Sequence, residues 1–251
     1  MKVTLLGTGT SFVDPYRVQS GILLEVANQK MLFDVGSGVL HRITQSGIDI
    51  TSIDCIFISH FHIDHCSDFP TLYQSLWMSG YNRPLRVFAP PAIKEWMRGI
   101  FEISLPYLQG KLEIEITELG TMETIDVGGV AITAQSTPHS TMDSRAFKIE
   151  FEGKSIVYTS DTSPCQEIIQ LAKGVDILIH ECNWLDGDHP DNVHTSPSEL
   201  NEIVKQTGAK KVVLVHLGPD VVSEKEKVLE IISNGTEAEI IMGEDLLEIN
   251  L

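Results

Sequence analysis

The stretch Ser59-His60-Phe61-His62-Ile63-Asp64-His65 constrains this chain more than any other, because it gathers three imidazoles and one carboxylate within six residues at the end of an apolar run. Residues Cys55-Ile56-Phe57-Ile58-Ser59 read as a buried strand, so the cluster sits where a strand leaves the core and turns toward a helix. Ionisable groups beside a hydrophobic strand carry a desolvation cost, and a polar loop with incidental histidines has no reason to bear it. A shared cation removes that cost. His60 and His62, two apart, can point from the strand end to one metal, while Asp64 and His65 lie just past the turn and can reach a second. Imidazole with carboxylate suits a borderline ion such as zinc or manganese better than calcium or magnesium.

Three later residues occupy the same kind of position. His139 follows Thr137-Pro138, Asp161 follows Val157-Tyr158-Thr159-Ser160, and His216 follows Leu214-Val215, each at the end of an apolar strand. Strand ends on one rim share a cleft. Taken singly, a strand-end histidine is often a satisfied structural residue, and an Asp in a Ser/Thr-rich turn is often a cap. Together with the first cluster they provide five histidines and two aspartates, enough for two ions. The arrangement expected is His60, His62 and His139 on one metal and Asp64, His65 and His216 on the other, with Asp161 between. Two such ions would hold a bridging hydroxide at neutral pH.

The rest of the chain reads as alternating strands and helices with short loops. A hairpin runs over Gly21–Val26 and Met31–Asp34, closed by Asn28-Gln29, and Asp34-Val35-Gly36-Ser37-Gly38 turns into a helix. An acid at that strand end can accept a hydrogen bond from a metal-binding histidine. Gly7-Thr8-Gly9-Thr10 lacks the Lys-Ser/Thr of a nucleotide-binding loop. Phe69, Leu72, Tyr73, Leu76 and Trp77 recur at helical spacing up to Gly80. Ser196-Pro197-Ser198-Glu199 carries the marks of a helix start, with Ser196 as cap, Pro197 in the first turn and Glu199 completing a capping box. Val130-Ala131-Ile132 echoes Val3-Thr4-Leu5, and the strand leading to Asp161 echoes the strand leading to Asp34, both at an offset of 127. The fold class expected is therefore α/β, a duplicated β-rich unit whose two sheets pack face to face with helices outside, a four-layer αββα sandwich spanning 1–251 as one domain.

Charge narrows the partners. The chain carries 35 acids against 18 bases, a formal charge of -17, and its bases are scattered. Such a surface repels phosphate backbones, which argues against a large nucleic-acid footprint. The four cysteines show no CxxC spacing, Met1 leads directly into an apolar strand, and no apolar run is long enough to span a bilayer. The expectation is a cytoplasmic protein without a membrane partner.

The set His60-x-His62-x-Asp64-His65, with His139, Asp161 and His216 downstream, resembles the metallo-β-lactamase superfamily over essentially the whole chain. His62 stands where the flavodiiron oxidoreductases of that fold carry a glutamate, and Asp161 stands where the commonest zinc β-lactamases carry a cysteine. Redox and antibiotic-hydrolysing roles are thereby disfavoured. Within the superfamily the chain is most similar to the ribonuclease Z, arylsulfatase and cyclic-phosphodiesterase branch. Leu5-Leu6-Gly7-Thr8-Gly9-Thr10, Arg17, Ser20, Leu32-Phe33-Asp34-Val35-Gly36-Ser37-Gly38 and Ile56-Phe57-Ile58-Ser59-His60 carry that likeness. His180-Glu181-Cys182-Asn183 resembles the branch's His-Glu-Ala-Thr segment, and His194-Thr195-Ser196 its His-Ser-Thr loop.

The resemblance implies a phosphodiesterase using two divalent ions, zinc in the first place with manganese or iron as alternatives. Catalysis would rest on Asp64, on His194 as proton donor to the leaving oxygen, and on Glu181 as its orienter. His41 and His189 read as surface histidines. Ribonuclease Z proteins carry a long tRNA-binding arm between the equivalents of His139 and Asp161, here only 22 positions apart with room for one hairpin. The substrate expected is thus a small-molecule or short nucleotide phosphodiester, with Arg17 and Arg145 supplying positive charge. Three rival readings stay open: a tRNA 3′-processing nuclease, a carboxylester, lactone or aryl sulfate hydrolase, and a non-enzymatic metal-binding or carrier protein. The branch also implies a homodimer, with the helix Phe69–Trp77 as its interface.

Overall fold

The apolar runs of the first half form strands β1 (Lys2–Gly7), β2 (Gly21–Val26), β3 (Gln29–Phe33), β4 (Cys55–Phe57), β5 (Leu85–Ala89) and β6 (Ile114–Glu118) in a computed structural model that describes residues 1–251. Helices α1 (Val39–Gln45), α2 (Ile63–Cys66), α3 (Phe69–Met78) and α4 (Ile93–Gly99) lie among them. The second half supplies β7 (Glu123–Val127), β8 (Val130–His139), β9 (Met142–Phe151), β10 (Lys154–Tyr158), β11 (Ile177–Cys182), β12 (Lys211–Leu217), β13 (Glu239–Met242) and β14 (Glu248–Asn250). Its helices are α5 (Gln166–Leu171), α6 (Pro197–Thr207), α7 (Pro219–Ser223) and α8 (Lys225–Ser233).

The first sheet has the order β14-β1-β2-β3-β4-β5-β6 and the second the order β7-β8-β9-β10-β11-β12-β13. In that order each sheet begins with three antiparallel pairings and ends with three parallel ones, so the two match strand for strand. Val3, Leu5, Ile22, Leu24, Met31 and Phe33 of one sheet meet Ile132, Phe147, Ile149, Ile156 and Val213 of the other in a shared core. Phe57 stacks between Phe33 and Phe88 at centroid distances of 4.6 Å, and the edge of Phe147 closes the cluster from the opposite sheet. Offset and edge-on aromatic pairs of this kind contribute about 0.5–1.5 kcal/mol each beyond their buried area. The outer sheet faces are covered by helices: Leu23, Leu32 and Ile56 pack on Val39, Ile43, Phe69 and Leu72, while Val157, Leu178 and Val212 pack on Ile168, Leu200 and Val228. Burial on both faces is why β2 and β3 read as continuous apolar runs rather than alternating ones. The four-layer αββα sandwich is therefore the fold of the chain.

Local signals hold where short-range chemistry decides them. The capping box at Ser196 and Glu199 is formed, with Gly208 in the left-handed conformation closing α6. Gly7 is required because a Cβ there would lie 1.7 Å from the Gln19 carbonyl oxygen, so the chain after β1 can return across it only in the absence of a side chain. The β2–β3 turn is centred on Ala27 and Asn28, both at positive φ, one position earlier than the expected Asn28-Gln29.

Two expectations need correction. The stripe on α3 packs inward: Phe69, Leu72, Tyr73 and Leu76 are buried in the chain's own core, so that of the expected interface residues only Trp77 is substantially exposed. The offset of 127 also fails at the strand ends. Phe33 pairs with Phe57 and Tyr158 with Ile179, and the next amides, of Asp34 and Thr159, donate to the carbonyls of Phe57 and Ile179. Asp34 is thus the counterpart of Thr159, and Asp161 lies two residues further toward the rim. No helix is long and apolar enough to cross a membrane.

Candidate metal centre

Parallel strands β3, β4 and β5 in one sheet, and β10, β11 and β12 in the other, deliver their C-terminal ends to one rim. His60 follows β4, His62 caps α2, and Asp64 and His65 lie on that one-turn helix. His139 ends β8, Asp161 follows β10 and His216 lies near the end of β12. Asp34, Ser160 and His216 take left-handed backbone conformations with φ of 58°, 51° and 49°. Such residues turn the chain abruptly where the strands stop, and the strain of about 1–3 kcal/mol each concentrates at functional sites.

The structure brings all seven expected residues together. The ligand atoms of His60, His62, His139 and Asp161 lie within 4.8 Å of one another, as do those of Asp64, His65 and His216. His62 Nδ1 sits 3.1 Å from His60 Nε2 and 3.0 Å from His139 Nε2. Asp161 Oδ1 is 3.2 Å from His65 Nε2, and its Oδ2 is 3.3 Å from His216 Nε2 and 3.6 Å from His139 Nε2, so this one carboxylate faces both groups.

The donor set fits cations. His139 gives its Nδ1 proton to the Val193 carbonyl at 2.7 Å, which leaves a lone pair on Nε2 facing His62. Burial lowers the pKa values of His60, His62 and His139, so three neutral rings converge with their nitrogens nearly in contact. Likewise His65 gives Nδ1 to Asp34 at 2.9 Å and turns Nε2 toward Asp161 Oδ1, a buried oxygen that accepts no hydrogen bond. Two acceptors facing each other without a donor call for a positive charge. Burial works to lower His65, but the carboxylates of Asp161 and Asp34 outweigh it and hold the ring well above its ordinary value. The same demand holds Asp161 low despite its burial, through His216 and His65. The clusters fit metal binding.

Behind the two groups lies a hydrogen-bonded network that the spacing of the motifs foretold only in part. Asp34 accepts from Ser59 N at 2.7 Å, Ser59 Oγ at 2.9 Å, Tyr158 Oη at 2.7 Å and His65 Nδ1. Ser160 Oγ donates to Ser59 Oγ across the sheet interface at 2.6 Å. Asp34 was legible as an acceptor at a strand end; Ser59, Tyr158 and Ser160 had no sequence signal because their partners are a hundred or so residues away.

Glu181 lies at the cleft on β11, and His194 at the end of the loop that follows. His194 Nδ1 is 2.8 Å from Glu181 Oε1, and the amides of Thr162 and Thr195 donate to the same carboxyl group at 2.8 and 3.3 Å. His194 also lies beside Asp161 and His216, near enough to join them around a cation. Burial, followed by the charge of Asp161, pushes Glu181 well above the usual carboxyl range, and burial lowers His194. With Glu181 protonated and donating to Nδ1, the state that these shifts favour, His194 carries its own N–H on Nε2, where no protein group accepts it.

Arg17 and Arg145 do not face the site as expected. Arg145 is buried against Asp143 and the carbonyls of Leu119 and Gly120, and Arg17 donates to Thr8 Oγ1 and the Gly243 carbonyl. Their charge is spent on holding loops. His189 is not a free surface histidine either, because its ring stacks on Trp184 at 4.5 Å.

The model of the family described as anti-Pycsar protein Apyc1 matches residues 1–236. The chain belongs to that family. Ribonuclease Z of Methanosarcina acetivorans is 25% identical, with 100% of this chain and 98% of that protein covered. Among solved structures, the metallo-β-lactamase fold protein YhfI of Bacillus subtilis superposes with a TM-score of 0.87 at 23% identity, covering 99% and 98% of the two chains. The short form of human tRNase Z superposes with a TM-score of 0.81 at 22% identity, covering 100% and 99%. This member of the family therefore has the metallo-β-lactamase fold, lies in its ribonuclease Z-like branch, and is a metal-dependent hydrolase.

Proposed function

We propose that the chain, as one domain over 1–251, is a phosphodiesterase for a small-molecule or short nucleotide phosphodiester, and that His194 protonates its leaving oxygen. The observation that carries this reading is the buried Glu181–His194 pair, 2.8 Å long, opening beside the two donor clusters. His60, His62, His139 and Asp161 would hold one divalent ion, and Asp64, His65, His216 and Asp161 a second, zinc by the character of the donors. When bound, the ions would supply an activated water nucleophile and neutralise charge on the phosphoryl oxygens.

The protein's own groups then have separate tasks. Asp34 and the Val193 carbonyl fix the tautomers of His65 and His139, so that Nε2 of each ring faces the centre. Glu181 fixes Nδ1 of His194 and leaves Nε2 to give a proton to the departing alkoxide. Aryl sulfates expel phenolates, which have less need of that proton, so a buried proton-holding pair favours a substrate that expels an alkoxide, as a phosphodiester does.

The relatives named ribonuclease Z favour a tRNA substrate as the second reading. Against it stand the net charge of -17 and the direct β8–β9–β10 connection, in which Ser140 and Thr141 alone separate β8 from β9. The test is hydrolysis of bis(p-nitrophenyl) phosphate beside p-nitrophenyl sulfate and a simple lactone by the zinc-loaded protein, with precursor tRNA as a fourth substrate. Preference for the phosphodiester is expected; a preference for lactone or sulfate, or efficient cleavage of precursor tRNA, would replace the substrate class.

A further inference from the structure

The loop between β11 and α6 carries His194 at its end and has no helix or strand of its own. Its polar tethers lie near its ends and on α6: Asp186 accepts from Ser198 N and Oγ, Asn192 O accepts from Ser140 N, and Val193 O accepts from His139 Nδ1. Within the loop, Trp184 and His189 stack with centroids 4.5 Å apart and planes 20° apart. Trp184 Nε1 and His189 Nδ1 are both buried without a hydrogen-bond partner, so ring packing rather than polar contact joins the two. Trp184 also meets the His194 ring edge to face, at 5.0 Å and 83°.

That contact matters because one hydrogen bond does not orient an imidazole. The bond to Glu181 holds Nδ1 in place, yet the ring can still swivel about it and carry Nε2 along an arc. Three rings border His194: His139 at 5.0 Å, His216 at 5.2 Å and Trp184. The first two belong to the donor clusters and are committed there. Trp184 is the neighbour free of other duties, and His189 backs it.

We infer that Trp184, backed by His189, is a positioning residue that sets the plane of His194 so that its Nε2 proton meets the leaving oxygen. This rests on the proposed proton delivery by His194. The atoms balance simply: the Nε2–H bond breaks as the P–O bond to the leaving group breaks, the proton ends on the departing oxygen, and His194 later regains a proton from solvent. Trp184 touches no reacting atom. Its removal acts only through the ring it holds.

The test compares two phosphodiesters with the zinc-loaded enzyme: bis(p-nitrophenyl) phosphate, whose leaving phenolate needs little protonation, and diphenyl phosphate, whose leaving group needs more. His194→Ala is expected to slow diphenyl phosphate by about 100-fold or more and the nitrophenyl ester far less. Trp184→Ala is expected to lower kcat for diphenyl phosphate by about 10- to 100-fold with KM unchanged, as for a misplaced catalytic group. Trp184→Phe restores most of that loss, and the double variant Trp184→Ala/His194→Ala is no slower than His194→Ala alone. A second readout needs no turnover: the proton shared by Glu181 and His194 Nδ1 is expected to exchange slowly enough for NMR in the zinc-loaded protein, to broaden or vanish in Trp184→Ala and to return in Trp184→Phe. Equal losses on both esters, a pure KM effect, or additive losses in the double variant would overturn the inference. If His194→Ala itself shows no leaving-group preference, the proton-delivery reading fails, and the NMR signal alone decides whether Trp184 holds the ring.

Discussion

Two buried carboxylates grip a histidine in this protein, and the difference between them separates the two halves of the site. Asp34 holds His65 at 2.9 Å and Glu181 holds His194 at 2.8 Å. Both acids lie at the ends of strands in matching sheets. Yet Asp34 and His65 have no exposed side-chain surface, whereas His194 retains about 11%. The free nitrogen of His65 faces the Asp161 carboxylate, a position for a cation; that of His194 has no hydrogen-bonding partner in the protein, as a proton donor to substrate requires. The same pair therefore orients a metal-binding ring where it is sealed and a proton-giving ring where it is not. Burial and the neighbour across the cleft decide the role, rather than the residue types.

The largest test of this contrast removes what both pairs depend on. Asp161 reaches into both donor groups, so Asp161→Ala should abolish metal retention and turnover together, measured as metal content after gel filtration and as phosphodiester hydrolysis. Next, His194→Ala should cut turnover by about 10²- to 10⁴-fold, the span of general acid catalysis, while metal content stays at the wild-type level. Metal loss equal to that of Asp161→Ala would collapse the distinction between the pairs.

Acid should strike the halves unequally. On β11, His180 lies on the face opposite Glu181, in the position that Ile58 fills beyond β4. Burial lowers His180 to about 4, so the unfolded chain binds this proton at a higher pH than the folded one. Stability from His180 is accordingly complete above its unfolded pKa near 6.5 and falls by about 3 kcal/mol as the pH drops toward 4. Urea unfolding of wild type and His180→Asn across this range checks it: the variant should show the shallower dependence.

Two smaller effects sharpen the sealed pair. Asp34→Asn should weaken metal affinity by about 10- to 100-fold, read by chelator competition, without changing the leaving-group preference of the enzyme loaded with excess metal. A shift in that preference would show that the two pairs are not independent. Tyr158→Phe removes one of four hydrogen bonds to Asp34 and should cost about 1–2 kcal/mol in thermal or chemical unfolding, with turnover nearly unchanged.

Much of this was written locally in the chain. The strand ending in His60-x-His62-x-Asp64-His65, the strand-end positions of His139, Asp161 and His216, the Ser196–Glu199 capping box and the apolar strands of both sheets each depend on neighbours a few residues away. Composition and spacing carry such information directly, which is why the layered fold and all seven clustered residues were legible. The equivalence of Asp34 and Asp161 was legible and misleading, because an echo in sequence ignores the two extra residues that lift Asp161 to the rim.

What only the tertiary structure decided are the contacts that join distant segments. Arg17 and Arg145 look like phosphate binders until packing shows their guanidinium groups consumed by loop carbonyls and Asp143. Tyr158 and Ser160 look like ordinary strand residues until the second sheet is laid on the first and their hydroxyls reach Asp34 and Ser59. Trp184 and His189 lie in a loop without periodicity, and their stacking beside His194 follows from how that loop folds back. Donor types and strand ends are short-range properties and can be read along the chain. Which ring faces a carboxylate, which keeps a nitrogen without a partner and which arginine is already spent depend on side chains arriving from distant segments, and no local pattern encodes that meeting.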